Sequence, residues 1–182
     1  MVIDEAQLKK FILDSGLVSQ AGFEAIEKKK KGKKQSLGDM LVSEGKISED
    51  DLRRTESYIL GIPFVSLKGE KIDFEILSLI PEAIARNHNI IPYRKTNKEL
   101  EVAMLDTDDL EAIDFVKKKV GLKILPRLTD TESIRGALLQ YRRSLKAEFD
   151  DIIEREADSL KSIPLGTDEG DVPEGELKKL AE

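Results

Sequence analysis

Six lysines surround one glycine between Lys28 and Lys34, and this group has the side-chain chemistry to bind an anion. Clustered ammonium groups suit a phosphate or a lipid head group. The alternative is a solvated helix end, where cations interact favourably with the C-terminal dipole. We place the helix-end interpretation first and keep the anion site as a hypothesis. Its candidate phosphate contacts are Lys28, Lys29, Lys30, Lys31, Lys33 and Lys34.

Residues for catalysis or metal binding are sparse. The chain has no cysteine, no phosphate-binding G-x-x-x-x-G-K-[ST] loop and a single histidine, His88, at the predicted end of a helix, where capping or packing is the usual role. Asp106, Asp108 and Asp109 could bind a hard cation, but they lack the glycine and the distal glutamate of a calcium loop. We therefore interpret them as helix caps. The sequence predicts no catalytic residue, no metal site and no enzyme.

The net charge of −6 over 182 residues is unevenly distributed. Residues 148–182 carry a net charge of −8, and the remainder carries +2. A nearly neutral folded part argues against binding to a nucleic acid polymer, which favours a basic surface. No apolar run resembles a signal peptide or approaches the length of a membrane helix. We therefore expect a cytoplasmic protein without direct membrane insertion.

A short segment occurs twice near the start of the chain, offset by 29 residues. Gly16 corresponds to Gly45, and Ser19 corresponds to Ser48. Glycine favours the left-handed conformation that follows many helices, and serine accepts a hydrogen bond at a helix N-terminus. Residues 1–61 are therefore predicted to form two repeated helix-turn-helix units that share one core.

The pattern changes at Gly61-Ile62-Pro63. In residues 62–146 we predict strands at 64–67, 90–93, 100–105 and 122–128, with a helix over 73–87 broken at Pro81, a second helix ending near Lys119, and a last one from Asp130 or Thr131 to about Arg143. Pro92 places its strand towards an edge. The fold class is α+β, a helical subdomain followed by a small α/β sandwich with roughly three strands. Residues 147–182 are predicted to be an acidic helix and flexible linker.

Three segments together resemble a known family. Residues 36–52 read S-L-G-D-M-L-V-S-E-G-K-I-S-E-D-D-L and are followed by L-G-I-P-F at 60–64. Residues 79–93 read L-I-P-E-A-I-A-R-N-H-N-I-I-P-Y, and 100–106 read L-E-V-A-M-L-D. This combination resembles the N-terminal, MshEN-like domain of type II secretion and type IV pilus assembly ATPases. Residues 176–182 resemble the family linker that precedes the motor domain.

In some members, the resemblance implies, the paired elements bind cyclic di-GMP. Here Gln7 and Ser36 stand where the family has arginine, and Lys30 and Ile59 replace the closing glutamine. We therefore interpret the repeat mainly as a scaffold and keep cyclic di-GMP binding as the alternative. The candidate nucleotide-binding residues are Leu8, Ile12, Leu13, Gly16, Val18, Leu37, Gly38, Leu41, Val42, Gly45, Ile47 and Leu52.

The resemblance implies a regulatory or docking domain rather than a self-sufficient enzyme. The expected partners are the cytoplasmic domain of an inner-membrane platform protein and the C-terminal ATPase domain of the parent protein. We expect the chain to lie in the cytoplasm, peripheral to the inner membrane through these partners. No cofactor is expected, and cyclic di-GMP is the candidate ligand.

Overall fold

Eight helices and three strands make up residues 3–161, the part of the chain that the computed structural model describes. They are α1 (Glu5–Asp14), α2 (Gln20–Lys30), α3 (Leu37–Ser43), α4 (Glu49–Leu60), α5 (Phe74–Leu77), α6 (Glu82–His88), β1 (Ile90–Lys95), β2 (Glu99–Met104), α7 (Leu110–Val120), β3 (Lys123–Leu128) and α8 (Thr131–Lys161). Helices alone form the N-terminal part, and the sheet follows with its own helices. The α+β prediction is confirmed.

The repeat forms two helix-turn-helix units, α1–α2 and α3–α4, with the predicted start and stop residues. Ser19 accepts a hydrogen bond from the Gly22 N–H at 3.2 Å, and Ser48 accepts one from the Asp51 N–H at 3.1 Å. Gly16 and Gly45 follow α1 and α3 with φ of 71° and 67°. A side chain at either position would be strained, so these glycines fix where each unit turns.

One hydrophobic core joins the two units. Helix α1 packs on α4, and α2 packs on α3, so each unit covers apolar surface of the other. Ile12 and Phe23 of the first unit and Leu41 of the second are fully buried. We call this cluster the helical core: Leu8, Ile12, Val18, Phe23, Ile26, Leu37, Met40, Leu41, Ile47 and Leu52.

The sheet has the order β1-β2-β3, with β1 antiparallel and β3 parallel to β2. Helix α7 makes the crossover between the two parallel strands, as a parallel pair requires. Strand β1 is at an edge, as Pro92 predicts, and its register shifts between Pro92 and Arg94. A second core, with Ile91, Val102 and Tyr141 among its buried members, lies between this sheet and its helices.

The predicted strand at 64–67 is wrong. This segment makes a single bridge, between Phe64 and Leu128, and no ladder. Two of its other backbone groups bond to side chains: Thr129 Oγ1 donates to the Val65 carbonyl at 2.7 Å, and the Leu67 N–H donates to Ser133 Oγ at 2.9 Å. These contacts replace strand pairing.

Helix α8 continues past Arg143 to Lys161, so the last predicted helix and the acidic helix predicted from residue 147 are one helix. Of the described residues, 3–145 belong to one compact unit that contains both cores, and 146–161 belong to a second. The three-part division of the chain stays a prediction, and the linker predicted beyond residue 161 lies outside the described residues. Among residues 3–161, no helix is long and apolar enough to cross a membrane.

Within the first unit, Glu49 of α4 ties the helical part to the start of α8. Its Oε1 accepts the Thr131 N–H at 3.0 Å and the Thr131 hydroxyl at 2.6 Å. Hydrogen bonds to a charged acceptor are among the stronger ones in proteins. This contact therefore joins the second repeat unit to the start of α8.

Candidate functional site

The apolar residues predicted to hold a nucleotide lie mostly inside the helical core. Leu13 and Val42 are half-buried, and Gly16 and Gly45 are exposed at the turns. The buried members pack against one another, so they present little apolar surface to a ligand. They are Leu8, Ile12, Val18, Leu37, Gly38, Leu41, Ile47 and Leu52.

Gly38 has a packing role in this arrangement. A Cβ added to it would lie 2.9 Å from Cδ1 of Leu52, which is closer than side chains pack. The glycine therefore allows α3 to approach α4 across the core. This contact accounts for the Leu37-Gly38 pair of the second copy without a ligand.

The lysine run is divided among different neighbours. Lys28, Lys29 and Lys30 form the last turn of α2, where cations suit the helix dipole. The Lys29 ammonium lies 2.5 Å from Glu44, and Lys30 pairs with Glu5. The remaining members of the run, Lys31, Lys33 and Lys34, are exposed. Two of the six lysines thus bind carboxylates of neighbouring segments rather than facing a common point.

Glu5 receives two donors at the junction of α1, α2 and α3. Lys30 donates to its carboxylate, and the Leu37 N–H donates to its Oε1 at 3.2 Å. The hydrogen bond from Lys30, with the Leu37 N–H in support, outweighs burial and lowers the pKa of Glu5. The Glu5 carboxylate therefore already takes up the Lys30 ammonium and the Leu37 N–H, two groups that could otherwise bind an anionic ligand.

Two clefts flank Glu5, and their charges differ. One of about 580 Å³ lies between α3, α4 and the loop after β2, and a single guanidinium, that of Arg53, faces its carboxylates. These carboxylates belong to Glu5, Asp39, Glu56, Asp106 and Asp108. Such a lining repels a ligand with two phosphates.

The second cleft is the more cationic one. It has a volume of about 710 Å³, and Lys9, Lys30 and Lys31 line it together with Glu5 and Glu27. Lys9 also pairs with Glu27 at 2.8 Å, so part of its charge is already neutralised. Electrostatics therefore favours this cleft over the first for an anion.

Sequence patterns did not indicate Arg53 or Lys9 as lining residues. Arg53 donates from Nη1 to Glu56 at 2.8 Å, while its buried Nε has no hydrogen-bond partner. Its i,i+3 spacing to Glu56 predicts an ordinary helix-surface pair. Only the packing of α4 next to the loop after β2 places it at a cleft.

His88 and Asp109, two of the residues considered for catalysis or metal binding, make structural contacts. His88 Nδ1 lies 2.7 Å from Asp109 Oδ2, and Asp109 Oδ1 accepts the Ala112 N–H at 3.0 Å, which caps α7. Burial acts to raise the pKa of Asp109, but the hydrogen bonds from Ala112 and His88 outweigh it and lower the pKa. This pair ties the end of α6 to the start of α7.

Asp109 should contribute to stability above acidic pH. A carboxyl whose pKa is lowered by folding stabilises the folded state above its unfolded pKa, and this is lost as pH falls through the folded pKa. We expect Asp109→Asn to lower the free energy of unfolding by about 1 kcal/mol at neutral pH, with the difference shrinking as the pH falls through the lowered pKa of Asp109. Urea unfolding across pH measures it, with Asp114→Asn on the same helix as control. A difference that stays constant down to acidic pH would contradict the assignment.

An aromatic patch is exposed on the α1–α4 face. Phe11 and Tyr58 meet edge to face with ring centroids 5.4 Å apart, and Tyr58 is 76% exposed. Leu17 lies beside them, and Arg54 stacks on Phe64 at 4.6 Å. Aromatic residues and arginine are enriched where proteins bind each other. The patch is thus suited to protein contact.

Comparison with known proteins shows what the chain is similar to. Residues 60–148 match the MshEN domain family. The chain is 25% identical over 155 residues to the type IV pilus assembly ATPase PilB of Myxococcus xanthus, covering 85% of this chain and 27% of that protein. It is 27% identical over 143 residues to PilB of Thermus thermophilus, and this match covers 78% of this chain and 16% of that protein. The chain thus spans about a quarter or less of the length of these relatives.

Two solved structures share the fold. The structure of MshE with cdg has a TM-score of 0.61 at 24% identity and covers 74% of this chain and 97% of that one. The N-terminal domain of XpsE has a TM-score of 0.53 at 19% identity, and the match covers 76% of this chain and 96% of that one. Residues 60–148 are therefore similar to an MshEN domain, and the chain shares the fold of these two structures.

Proposed function

We propose that this chain is a non-catalytic docking domain of a type IV pilus assembly or type II secretion ATPase. It binds the cytoplasmic domain of an inner-membrane platform protein and thereby holds its motor domain at the membrane. The observation that carries the proposal is the match of residues 60–148 to the MshEN family, together with pilus ATPase relatives. The aromatic patch, in which Tyr58 is exposed and Phe11 is half-buried, supports a protein partner rather than a small substrate.

A pull-down with the cytoplasmic domain of the cognate platform protein tests the docking proposal. We expect the chain 1–182 to retain this domain at about 10 µM, an ordinary affinity for a transient assembly. The matched control is the same platform domain with an unrelated acidic protein on the resin. Absence of retention at about 100 µM would reject docking as the function.

Catalysis by the chain itself can be tested separately. We expect purified 1–182 to hydrolyse ATP no faster than a heat-denatured sample, because its sequence contains no phosphate-binding loop. Turnover above that control would contradict the non-catalytic role.

The second candidate function is cyclic di-GMP sensing, favoured by the fold shared with MshE, whose structure was solved with cdg. The repeat supplies the glycines and apolar positions, but Gln7 and Ser36 cannot supply the cation of an arginine. The ligand would have to reach the cationic cleft of Lys9, Lys30 and Lys31 and compete with Glu5 for Lys30.

Restoring arginine tests this second candidate. If the site is built as in the family, Gln7→Arg with Ser36→Arg should tighten cyclic di-GMP binding about tenfold in a calorimetric titration. Ser36 caps α3 by accepting the Asp39 N–H at 3.1 Å, so its replacement costs about 1 kcal/mol of stability. Gln7→Arg alone, which keeps the cap, is therefore the control. An unchanged affinity in both variants would reject a family-type site.

A further inference from the structure

Four exposed lysines lie where α2 and α3 end, and none of them makes an ion pair among residues 3–161. They are Lys31, Lys33, Lys34 and Lys46, which we call the lysine patch. The Lys29 ammonium bonds to Glu44 and is the main cause that lowers the pKa of this carboxyl. The charges of Lys33 and Lys46 lower it further, so these two lysines, from different turns, lie near one another.

The positive charges around the patch outnumber the negative ones. Residues 24–46 contain seven lysines and four carboxylates, a net charge of +3. Asp39, one of these carboxylates, lines the first cleft together with Arg53. The other nearby carboxylates are matched by lysines outside the patch: Glu44 with Lys29, Glu5 with Lys30, Glu27 with Lys9, and Glu24 with Lys28 one turn further along α2. The negative end of α2 offsets about half a charge, so the patch keeps a surplus of about three.

A glycine defines the turn that carries Lys31, Lys33 and Lys34. Gly32 has a φ of 91°, a conformation that glycine adopts without strain. The chain reverses there, and the Lys33 N–H donates to the Lys30 carbonyl at 2.9 Å. The three lysines are thus held together at one end of the helical repeat.

The composition of this turn restricts what the patch can bind. Residues 31–36 read K-G-K-K-Q-S and contain no large apolar or aromatic side chain. Single-stranded nucleic acids are bound by aromatic stacking, and protein interfaces rely on aromatic and arginine anchors. Lysine is a point charge and lacks the planar fork with which arginine holds one phosphate in two contacts. The patch therefore matches a diffuse array of negative charges better than a single anion.

We propose that the lysine patch of Lys31, Lys33, Lys34 and Lys46 binds the surface of an anionic phospholipid bilayer. The negative potential of such a surface attracts clusters of four or more basic residues, and each lysine adds about fivefold to the partition coefficient. The Debye length of about 8 Å at physiological ionic strength limits the repulsion from carboxylates elsewhere in the chain. This contact is electrostatic, leaves the chain outside the hydrocarbon core, and is independent of the platform docking proposed above.

Sedimentation with lipid vesicles tests the proposal on the chain 1–182. The vesicles are made of equal parts phosphatidylglycerol and phosphatidylcholine, or of phosphatidylcholine alone. We expect partition onto the anionic vesicles to be at least about tenfold greater than onto the neutral ones, because their surface potential is the source of the attraction. Raising the salt from about 0.1 M to about 0.5 M should lower this partition about tenfold, because the Debye length shortens.

A matched pair of charge variants assigns the binding to the patch. Lys31→Gln, Lys33→Gln and Lys34→Gln together should weaken partition onto the anionic vesicles at least about tenfold, with unchanged helix content by circular dichroism. The control makes the same three changes of lysine to glutamine at residues 117–119, in the last turn of α7, and should alter partition less than about twofold. Equal effects of the two variants, equal partition onto neutral vesicles, or no partition by the unaltered chain would overturn the proposal.

Three further readouts identify the other occupants. Release from the vesicles by about 10 mM inorganic phosphate at constant ionic strength would assign the patch to a single phosphate group. Binding to duplex DNA that is lost in the variant altered at 31–34 would assign it to nucleic acid. Retention of the platform domain that is lost in this variant would assign it to the platform protein. Each of these results overturns the proposal, whereas lost vesicle binding with unchanged platform retention supports it and leaves docking intact.

Discussion

Replacing Phe23 with alanine is expected to lower the free energy of unfolding of the helical repeat by about 3–5 kcal/mol. Phe23 of α2 is fully buried in the helical core, and the ammonium of Lys9 lies 5.2 Å from its ring centroid. Alanine leaves a cavity that four short helices cannot fill without losing other contacts. The expected loss is comparable to the total stability of a small domain.

Hydrogen exchange measures this loss locally. Because the helical core and the core at the sheet are separate clusters, amides of α1–α4 should lose protection while those of β2 keep theirs. Leu17→Ala, at an exposed position of the same repeat, is the control and should change stability by no more than about 0.5 kcal/mol. A loss below about 1 kcal/mol for Phe23→Ala would contradict the packing described here.

Replacing Asp130 with alanine is expected to cost about 2–3 kcal/mol, because it removes the cap of α8 in a buried position. Asp130 is 1% exposed, and its Oδ1 accepts the Ser133 N–H at 2.8 Å. Ser133 in turn accepts the Leu67 N–H through its hydroxyl and donates that hydroxyl to Asp130 Oδ2 at 3.2 Å. Alanine would leave the buried Ser133 N–H without its acceptor. It would also weaken the attachment of the segment around Leu67, which bonds to the Ser133 hydroxyl.

Asp130→Asn separates the cap from the charge. An amide oxygen can still accept the Ser133 N–H, so we expect this variant to lose only about 1 kcal/mol. Chemical denaturation of both variants gives the comparison. Equal losses for alanine and asparagine would show that the charge, and not the cap, is the stabilising feature.

Local signals in the sequence predicted the helical repeat well. Serine at a helix start and glycine after a helix end act through atoms within a few residues. The helix starts at Ser19 and Ser48 and the helix ends at Gly16 and Gly45 could therefore be predicted without knowing the fold. Pro92 likewise predicted an edge strand, because proline lacks the N–H that a central strand needs.

Non-local contacts explain where prediction from sequence was wrong. Residues 64–67 have a strand-like composition, but two of their backbone groups bond to side chains more than sixty residues away. Thr129 donates to the Val65 carbonyl, and Ser133 accepts the Leu67 N–H. The last predicted helix and the acidic helix predicted from residue 147 are one helix, and no glycine or proline lies between Gly136 and Pro164 to separate them. The pairing of Lys30 with Glu5 depends on how three helices meet, which spacing alone does not reveal.

The same reasoning separates the two candidate functions. The glycines and apolar residues of the repeat fit a nucleotide motif, and they also fit the helical core in which they are found. The polar groups that a nucleotide needs are either replaced, as at Gln7, or already paired, as at Lys30. The repeat is therefore better explained as a structural scaffold than as a ligand site.

The most direct measurement is a calorimetric titration of the chain 1–182 with the cytoplasmic domain of its platform protein, followed by cyclic di-GMP into the same protein. The docking proposal predicts saturable heat with the platform domain at about 10 µM and none with the nucleotide at about 100 µM. Nucleotide binding at micromolar concentration without any platform binding would contradict it and establish a sensor in place of a docking domain.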